Sequence, residues 1–348
     1  MEDFLKSRAF MMAVMAAAMF GMSIPFSKTL LSDLPLTQLA GLLYLGAGIF
    51  LLPFIICRKR TGNIVFPRDS RNRLNLLAAI FFGGIIGPIL LLIGLKCSLS
   101  ASVSMWLNLE SVATAVIAFF LFREHMGKWT WIGNIGVVMS GILLSFNGGW
   151  SGWIGLLCIS GAAIAWGLDN NFTAVIDSIS PEASTFWKGV IAGSINLIIG
   201  ISFFTWHISS AWFWALLLGG LSYGFSITLY IRAAQGLGAV RAQMIFASSP
   251  FFGVAFSLIW LREEISVIQI FAGIILAAAV ALIFADRHEH VHLHDVLSHE
   301  HEHIHNDKHH GHEHPVMPDG FHSHPHVHEA LSHTHPHWPD LHHRHHNA

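Results

Sequence analysis

The sequence predicts an all-α integral membrane protein of ten transmembrane helices, arranged as two inverted five-helix repeats and followed by a disordered, His-rich tail. The first observation is composition: of 348 residues, 53% are hydrophobic and 11% are charged, whereas soluble domains carry roughly 25% charged residues. The second is a series of ten apolar segments, and the third is an internal repeat. So few charges leave too little polar surface to cover a soluble globule of this size.

The apolar segments are each close to the length that a membrane-spanning helix needs, about 20 mostly apolar residues. The first is too long for the apolar core of a signal peptide, roughly 7–15 residues, so we expect it to be retained. Short polar or Gly/Pro-containing breaks separate the segments. We expect the spans near residues 9–31, 36–57, 74–95, 99–122, 129–147, 153–176, 184–205, 211–231, 240–261 and 266–285.

Lysine and arginine positions predict the orientation, because cytoplasmic loops carry an excess of both. With a cytoplasmic N-terminus, sixteen of the 19 Lys and Arg residues fall on the inside, among them Lys188 at the start of span seven. Only Lys28, Lys96 and Arg262 fall outside. An even number of spans then places both termini in the cytoplasm, and we expect a multi-pass protein of the bacterial inner (plasma) membrane.

The second half of the chain repeats short motifs of the first half in the same order. Four matches recur at offsets of 136 to 146 residues: Phe20-Gly21 with Trp166-Gly167, Gly83-Gly84 with Gly219-Gly220, Leu95-Lys96 with Ile231-Arg232, and Arg123-Glu124 with Arg262-Glu263. Five spans per half is an odd number, so the halves must insert with opposite orientation, as in many transporters. We expect repeats at residues 8–147 and 152–286 and a cytoplasmic tail at 287–348.

The chain resembles the drug/metabolite transporter superfamily, specifically proteins with paired EamA-type domains. The resemblance rests on the ten-span repeat, the pair Trp166-Gly167, and the acidic ends of spans four and nine at Glu124 and Glu263; it covers roughly residues 8–286. It implies a secondary carrier, often an exporter of amino acids, metabolites or drugs, and no enzymatic activity. The superfamily is broad in substrate, so the resemblance does not choose one.

Two features depart from the pattern of that superfamily. Arginine precedes both acidic residues, at Arg123 and Arg262, where many members have glycine. Glu110-Ser111 stands where the second half has Ser249-Pro250.

Glu110 is the strongest candidate for a functional residue within the membrane. It lies about twelve residues into span four, near the bilayer midplane. A carboxylate there costs about 2.5–3.5 kcal/mol on insertion scales, so it usually faces a cavity or a partner. We interpret Glu110 as a substrate-contact or proton-coupling acid. The alternative is a hydrogen-bonded structural residue that joins two helices.

A second polar group follows the pair Trp166-Gly167 in span six. Asp169, Asn170 and Asn171 are consecutive there, and with Trp166 they can line a substrate path and bind ammonium or hydroxyl groups. The alternative is a helix end that reaches the membrane interface. Asn108, two residues before Glu110, is a weaker candidate for the same path.

The paired charges at the ends of spans four and nine form a third group of candidates. Arg123 and Glu124 lie at one helix end, and Arg262 and Glu263 occupy the matching place in the second half. We interpret them as gate or helix-end charges; the alternative is that they are interfacial anchors.

The tail is dominated by histidine. Of 25 His residues, 23 follow Asp286, mostly as H-x-H repeats. Imidazole suits Zn, Ni and Co, although no four-ligand spacing stands out. The candidate metal ligands are His288, His290, His292, His294, His299, His301, His303, His305, His322, His324, His326 and His328. A solubilising tail or a pH sensor are the alternatives, and the H-E-x-x-H match at residues 288–292 is a by-product of the repeat.

Three functions remain open at this point. The leading hypothesis is a secondary-active exporter of a small metabolite or drug, with a metal-binding tail and no required cofactor. The first alternative is a divalent metal (Zn, Ni or Co) efflux carrier, and the second is a non-transporting membrane metal sensor or buffer. The expected partners are the lipid bilayer, a small-molecule substrate, a coupling proton and a second copy in a homodimer. With a net charge of −2, nucleic acid is not expected.

Overall fold

A computed structural model describes residues 2–60, 65–122, 126–176, 178–203, 209–237 and 245–285 of the membrane region. In the tail it describes residues 288–294, 297–303, 322–328 and 331–337. The chain divides into a helical unit that extends to Asp286 and a tail unit, 287–343. The two units are described separately below.

The first half of the helical unit contains five helices, three of which are interrupted. They are α1 (Glu2–Gly21 and Ser23–Leu30), α2 (Leu36–Arg60), α3 (Ser70–Ala79, a π-helical segment Ile80–Ile86, and Gly87–Cys97), α4 (Ser100–Trp106, Leu109–Ile117 and a π-helical segment Ala118–Phe122) and α5 (Lys128–Asn147). Asp69 caps α3 by accepting hydrogen bonds from the backbone and side-chain nitrogens of Asn72, at 2.8 and 2.9 Å. Both bonds lower the pKa of the Asp69 carboxyl below its ordinary value, and the backbone bond has the larger effect.

The second half contains five helices in the same order. They are α6 (Gly149–Ala174), α7 (Pro181–Phe203), α8 (Ala211–Gly219, a π-helical segment Gly220–Phe225, and Ser226–Leu237), α9 (Ser249–Trp260) and α10 (Val267–Ala285). Eight of the ten described helices are long and apolar enough to cross a membrane, and α9 and α10 are shorter apolar helices. The all-α membrane fold class is confirmed. The first five residues of the expected ninth span, 240–244, lie outside the described residues.

The helices pack in a pattern that is unchanged when the two halves are exchanged. Helix α1 packs against α8 and α9, and its counterpart α6 packs against α3 and α4. The corresponding pair α2 and α7 pack on each other, as do α5 and α10. Every one of these contacts joins one half to the other, so the halves form a single interlocked bundle.

Close contacts along α2 and α7 show that these corresponding helices run in opposite directions. Gly41 lies against the backbone of Leu197, and Gly48 lies against Val190. As residue numbers increase along α2, the residue numbers of the contacting positions on α7 decrease. Small residues at such crossings let the two backbones approach closely.

The same antiparallel relation holds for α5 and α10. Gly133 lies against Ile283, and further along α5 the Ser140 hydroxyl donates a hydrogen bond to the Ala272 carbonyl at 2.9 Å. Corresponding helices of the two halves run antiparallel in both pairs. This is the relation that defines an inverted repeat.

Apolar side chains fill the helix interfaces. The largest buried cluster includes Leu39, Leu92, Trp106, Ile159 and Leu276, all nearly inaccessible. Large apolar side chains on outward faces are left for the lipid, which solvates them as well as a protein core does.

The described parts of the tail are four strands. They are β1 (His288–His294), β2 (Leu297–His303), β3 (His322–His328) and β4 (Leu331–His337), and β1 pairs with β4 and β2 with β3, both antiparallel. The registers place histidine opposite histidine, for example His290 opposite His335. The expected disorder of the tail as a whole stays a prediction. The H-x-H alternation has the period of two that a strand requires, although an isolated two-stranded ladder is marginally stable in water.

Candidate functional site

Glu110 lies where α4 from the first half meets α6 from the second half. It occupies the first turn after the interruption of α4 at residues 107–108, where the helix dipole favours a negative charge. The Asn170 side-chain amide donates one hydrogen bond to Glu110 Oε1 at 2.9 Å and another to Thr114 Oγ1 at 3.1 Å. Glu110 and Asn170, which are both sequence-predicted site residues, are therefore in direct contact.

The contact between Glu110 and Asn170 is partly exposed and lies away from the most exposed apolar side of α6. Glu110 is half-buried and Asn170 is exposed, yet Asn170 is not on the lipid-facing side of α6. That side carries Trp150, Leu157 and Ile164, which are 85%, 70% and 55% exposed. Asn170 follows Ile164 by six residues, which places it about 120° around the helix from that face.

Asp169, the neighbour of Asn170, forms an ion pair that sequence reasoning missed. The Lys188 amino group of α7 lies 2.5 and 2.6 Å from the two carboxylate oxygens of Asp169. Both side chains are largely buried, with 17% of Lys188 and 8% of Asp169 exposed. The Thr173 hydroxyl donates a further hydrogen bond to Asp169 at 2.9 Å. All the hydrogen-bonding partners given for this carboxylate therefore come from the second half.

Lys188 also corrects the count of charges used for orientation. Its place at the start of span seven predicts an inside charge, but Lys188 lies within α7 and neutralises Asp169. Because the pairing with Asp169 explains the position of Lys188, this residue no longer counts among the sixteen inside charges. The signal in the sequence was a lysine inside an apolar segment, at a depth similar to that of Asp169 in the preceding span.

The π-helical segment of α3 packs against the Asp169 side chain. The Asp169 side chain lies directly against Gly83, where an added Cβ would meet its Oδ2 atom at 1.9 Å. The Gly83 carbonyl accepts hydrogen bonds from the Tyr44 hydroxyl at 2.6 Å and from Trp166 Nε1 at 3.0 Å. The Asn196 amide donates to the neighbouring Gly84 carbonyl at 2.9 Å. Such π-helical segments occur frequently at functional sites.

Aromatic side chains from both halves pack on one another where α1 and α2 meet α8. The rings of Tyr44 and Tyr223 stack with centroids 5.8 Å apart, and Phe20 meets Tyr223 edge-on at the same separation. Phe246 lies 5.4 Å from Phe20. These rings form a connected aromatic group that joins the two halves.

Asn171 and Asn108 make structural contacts. The Asn171 amide donates to the Gly167 carbonyl at 2.7 Å and to the Thr114 carbonyl at 3.2 Å, which joins α6 to α4. Asn108 is buried, and its amide donates to the Met105 carbonyl of its own helix at 3.3 Å. Of the residues predicted in span six, Asn170 contacts Glu110, whereas Asp169, Trp166 and Asn171 make other contacts. The Asn108 side chain bonds a carbonyl at the interruption of α4.

A second charged group lies at one end of the bundle. The Glu263 carboxylate accepts hydrogen bonds from the backbone nitrogens of Ser100 and Ala101, at 2.8 and 2.9 Å, and so caps α4. It also lies 3.7 Å from the Lys28 amino group, which donates to the Ser98 carbonyl. Arg262 adopts a positive φ of 52°, a conformation that favours glycine. The matching residues Arg123 and Glu124 lie outside the described residues.

No metal site is assembled in the described part of the chain. Among the side chains that the structure describes, no three or more of His, Cys, Asp or Glu lie together so that they could hold a metal ion. Eleven of the twelve predicted tail ligands lie in the strands β1, β2 and β3, whereas His305 lies outside the described residues.

Comparison with known proteins follows the same division into halves. A model of the EamA-like transporter family matches residues 7–146 and again residues 153–285. An uncharacterized transporter of Methanothermobacter thermautotrophicus is 26% identical over 294 residues, covering 78% of this chain and 84% of that protein. The uncharacterized transporter YoaV of Bacillus subtilis is 25% identical over 268 residues, covering 73% of this chain and 88% of that protein.

A solved crystal structure shows the same fold. It superposes with a TM-score of 0.58 at 16% sequence identity, covering 79% of this chain and 94% of that one. The two family matches together cover most of the sequence. The chain therefore belongs to the EamA-like transporter family and is a multi-pass membrane transporter.

Proposed function

We propose that this transporter is a secondary-active, proton-coupled exporter of a small metabolite or drug, with Glu110 as the coupling acid. The observation that supports this most is the contact between Glu110 and Asn170, which belong to different halves of an inverted repeat. In carriers built this way, the substrate and coupling ion bind where the two halves meet. The exposed side of this contact is where a substrate would be bound.

A proton and a substrate would compete for the Glu110 carboxylate. In one orientation of the halves the carboxylate takes a proton from one side of the membrane, and in the other it releases the proton and binds substrate. Because a proton neutralises the half-buried carboxylate, the conformational exchange becomes cheaper when Glu110 is protonated. The sequence contains no P-loop motif for ATP, which supports an ion gradient as the source of energy.

The Glu263 group and its match at Glu124 would act at the two ends of the path. Glu263 joins α1, α4 and the segment before α10 through Lys28, Ser100 and Ala101. In an inverted repeat, an equivalent arrangement around Glu124 would close the opposite end when the first opens.

Flux measurements in proteoliposomes test the proposal. A growth screen of a deletion strain against amino acids, metals and drugs identifies the substrate, and its flux is then driven by an imposed pH gradient. We expect Glu110→Gln to abolish gradient-driven flux. Glu264→Gln is the matched control, because it makes the same chemical change at an exposed carboxylate. Undiminished proton-linked flux through Glu110→Gln would remove Glu110 from the mechanism.

We propose separately that the tail is cytoplasmic and binds Zn, Ni or Co through its H-x-H repeats. In β1 to β4, the backbone registers that set histidine opposite histidine support clustered imidazoles. Deleting residues 288–348 should abolish metal binding and leave substrate flux intact. If this deletion abolished both metal tolerance and substrate flux, the result would favour the divalent metal efflux carrier. Metal binding without movement of any substrate would favour a membrane metal sensor or buffer.

A further inference from the structure

We propose that the His-rich tail is a metal-dependent fold, in which divalent cations bound between opposed histidines hold the strands β1 to β4 together. This inference rests on the proposed metal-binding function of the tail. It adds which histidines share an ion and what the ion controls. Three observations carry it: a repeat within the tail, the register of the strands, and the kinds of residue that the register sets opposite each other.

The tail contains two copies of one histidine motif. Residues 288–303 and 322–337 both read H-x-H-x-H-x-H-[D/E]-x-L-S-H-x-H-x-H, at an offset of 34 residues. Seven histidines, a leucine and a serine occupy identical places in the two copies. A tail that only collects metal ions, or only improves solubility, needs histidines but not this matched spacing. The repeat therefore indicates that the two copies act together.

The two copies pair with each other in antiparallel register. Strand β1 of the first copy pairs with β4 of the second copy, and β2 pairs with β3. Three of the seven paired positions in each ladder set histidine opposite histidine. These pairs are His288–His337, His290–His335, His292–His333, His299–His326, His301–His324 and His303–His322.

Apolar contacts across the strands do not account for this pairing. None of the paired positions in the two described ladders sets one large apolar residue opposite another. Val291, for example, lies opposite Thr334, and Leu293 lies opposite Ser332. An isolated two-stranded ladder is at best marginally stable in water. The opposed histidines are therefore the residues that remain to join the strands, and imidazoles do so when they share a cation.

Opposed positions in antiparallel strands have the spacing that a shared metal ion requires. Their Cβ atoms lie about 4.5–5.5 Å apart, and an imidazole nitrogen binds Zn²⁺ at about 2.0–2.1 Å. Alternate residues of a strand share a face, so the pair His290–His335 lies on the same face as the pair His292–His333. Two such neighbouring pairs supply the four ligands of a tetrahedral zinc ion. Because these ligands come together only when the strands pair, the free energy of metal binding stabilises the pairing.

Spin labels on the full chain in detergent test the inference, with each ladder serving as a control for the other. The three native cysteines are replaced by serine. One protein then carries labels at Val291→Cys and Thr334→Cys, and a second carries them at Glu302→Cys and Ser323→Cys; both pairs of positions are opposed. We expect Zn²⁺ to bring the two labels of each protein close enough to broaden the EPR spectrum by dipolar coupling. A chelator should reverse the broadening.

Replacing the opposed histidines of one strand should affect one ladder only. In His288→Gln/His290→Gln/His292→Gln, no opposed histidine pair remains between β1 and β4. The Zn²⁺ concentration that half-develops the broadening between positions 291 and 334 should rise at least about tenfold. Even partners outside the ligand shell contribute about ten- to a hundredfold to metal affinity. The broadening between positions 302 and 323 should not change.

A matched control removes the same number of histidines without removing an opposed pair. His294 and His328 lie opposite leucines, and His312 lies between β2 and β3 in the sequence. The variant His294→Gln/His312→Gln/His328→Gln should therefore leave the zinc dependence of both ladders unchanged.

Three results would overturn the inference. These are equal broadening with and without Zn²⁺, equal zinc dependence in the opposed-pair variant and its matched control, and zinc binding by the tail that brings neither pair of labels together. The last result would leave the proposed metal-binding function of the tail standing. If the full chain bound no more zinc than a chain that lacks residues 288–348, that function and this inference would both be wrong.

Discussion

The ion pair between Asp169 and Lys188 should make the effects of substitutions at these two positions on the free energy of unfolding strongly interdependent. Replacing Lys188 by Met leaves an Asp169 carboxylate that is 8% exposed, with the Thr173 hydroxyl as its remaining partner. Removing one partner of a buried pair costs about 3–5 kcal/mol, because the other charge is left uncompensated. Asp169→Asn should cost less, about 2 kcal/mol, because the Lys188 side chain is 17% exposed and its long stem can carry the amine toward water.

The double variant Asp169→Asn/Lys188→Met distinguishes pairing from packing. With both charges removed, stability should return to within about 1 kcal/mol of the wild type, since replacing a buried pair by neutral residues is often neutral or stabilising. The assay is the free energy of unfolding in mixed detergent micelles, analysed as a double-mutant cycle. The two single losses less the loss in the double variant give an expected coupling of about 4–6 kcal/mol. The pair Lys28 and Glu263, 3.7 Å apart with Lys28 29% exposed, is the control and should couple by less than about 1 kcal/mol. Additive losses at Asp169 and Lys188 would refute the reasoning.

Two further predictions concern the backbone. Gly83→Ala places a Cβ 1.9 Å from the Asp169 carboxylate, so it should destabilise the protein by about 1–3 kcal/mol. The control is Gly273→Ala, whose Cβ would lie 3.5 Å from the nearest side-chain atom. This substitution should be neutral or stabilising in the same unfolding assay. Arg262→Gly removes a non-glycine residue from positive φ and should raise stability by about 1 kcal/mol, with Arg68→Gly in an exposed loop as the control. Equal effects of the two glycine substitutions, or no gain at position 262, would contradict these accounts.

The helices and their division into two repeats could be predicted because apolar length and a repeated motif are both visible along the chain. Ten apolar segments indicate ten helices, and Gly83-Gly84 and Gly219-Gly220 fall at π-helical segments in the two halves. The interruption of α4 before Glu110 was not predicted, because residues 107 and 108 are a leucine and an asparagine in a continuous apolar segment. Helix interruptions of this kind depend on contacts with neighbouring helices.

The site could be predicted only in part. Glu110 and Asn170 are visible as polar residues within spans, but they are 60 positions apart and their contact depends on how α4 crosses α6. Lys188 was missed because a lysine near the start of a span is also a common marker of topology. Its role follows from the direction in which α7 crosses α6. Arg262 stands where the resemblance to the family implies glycine. That departure can be interpreted only once the positive φ of Arg262 is known.

The most direct test of the central claim is the accessibility of position 170 to water-soluble thiol reagents. In a chain whose Cys57, Cys97 and Cys158 are replaced by serine, Asn170→Cys should react with a membrane-impermeant maleimide added to either side, because alternating access exposes the site to each side in turn. Leu157→Cys, on the lipid-facing side of α6, should react with a membrane-soluble maleimide alone. Reaction at position 170 that requires the membrane-soluble reagent, as at position 157, would contradict an aqueous path between the two halves.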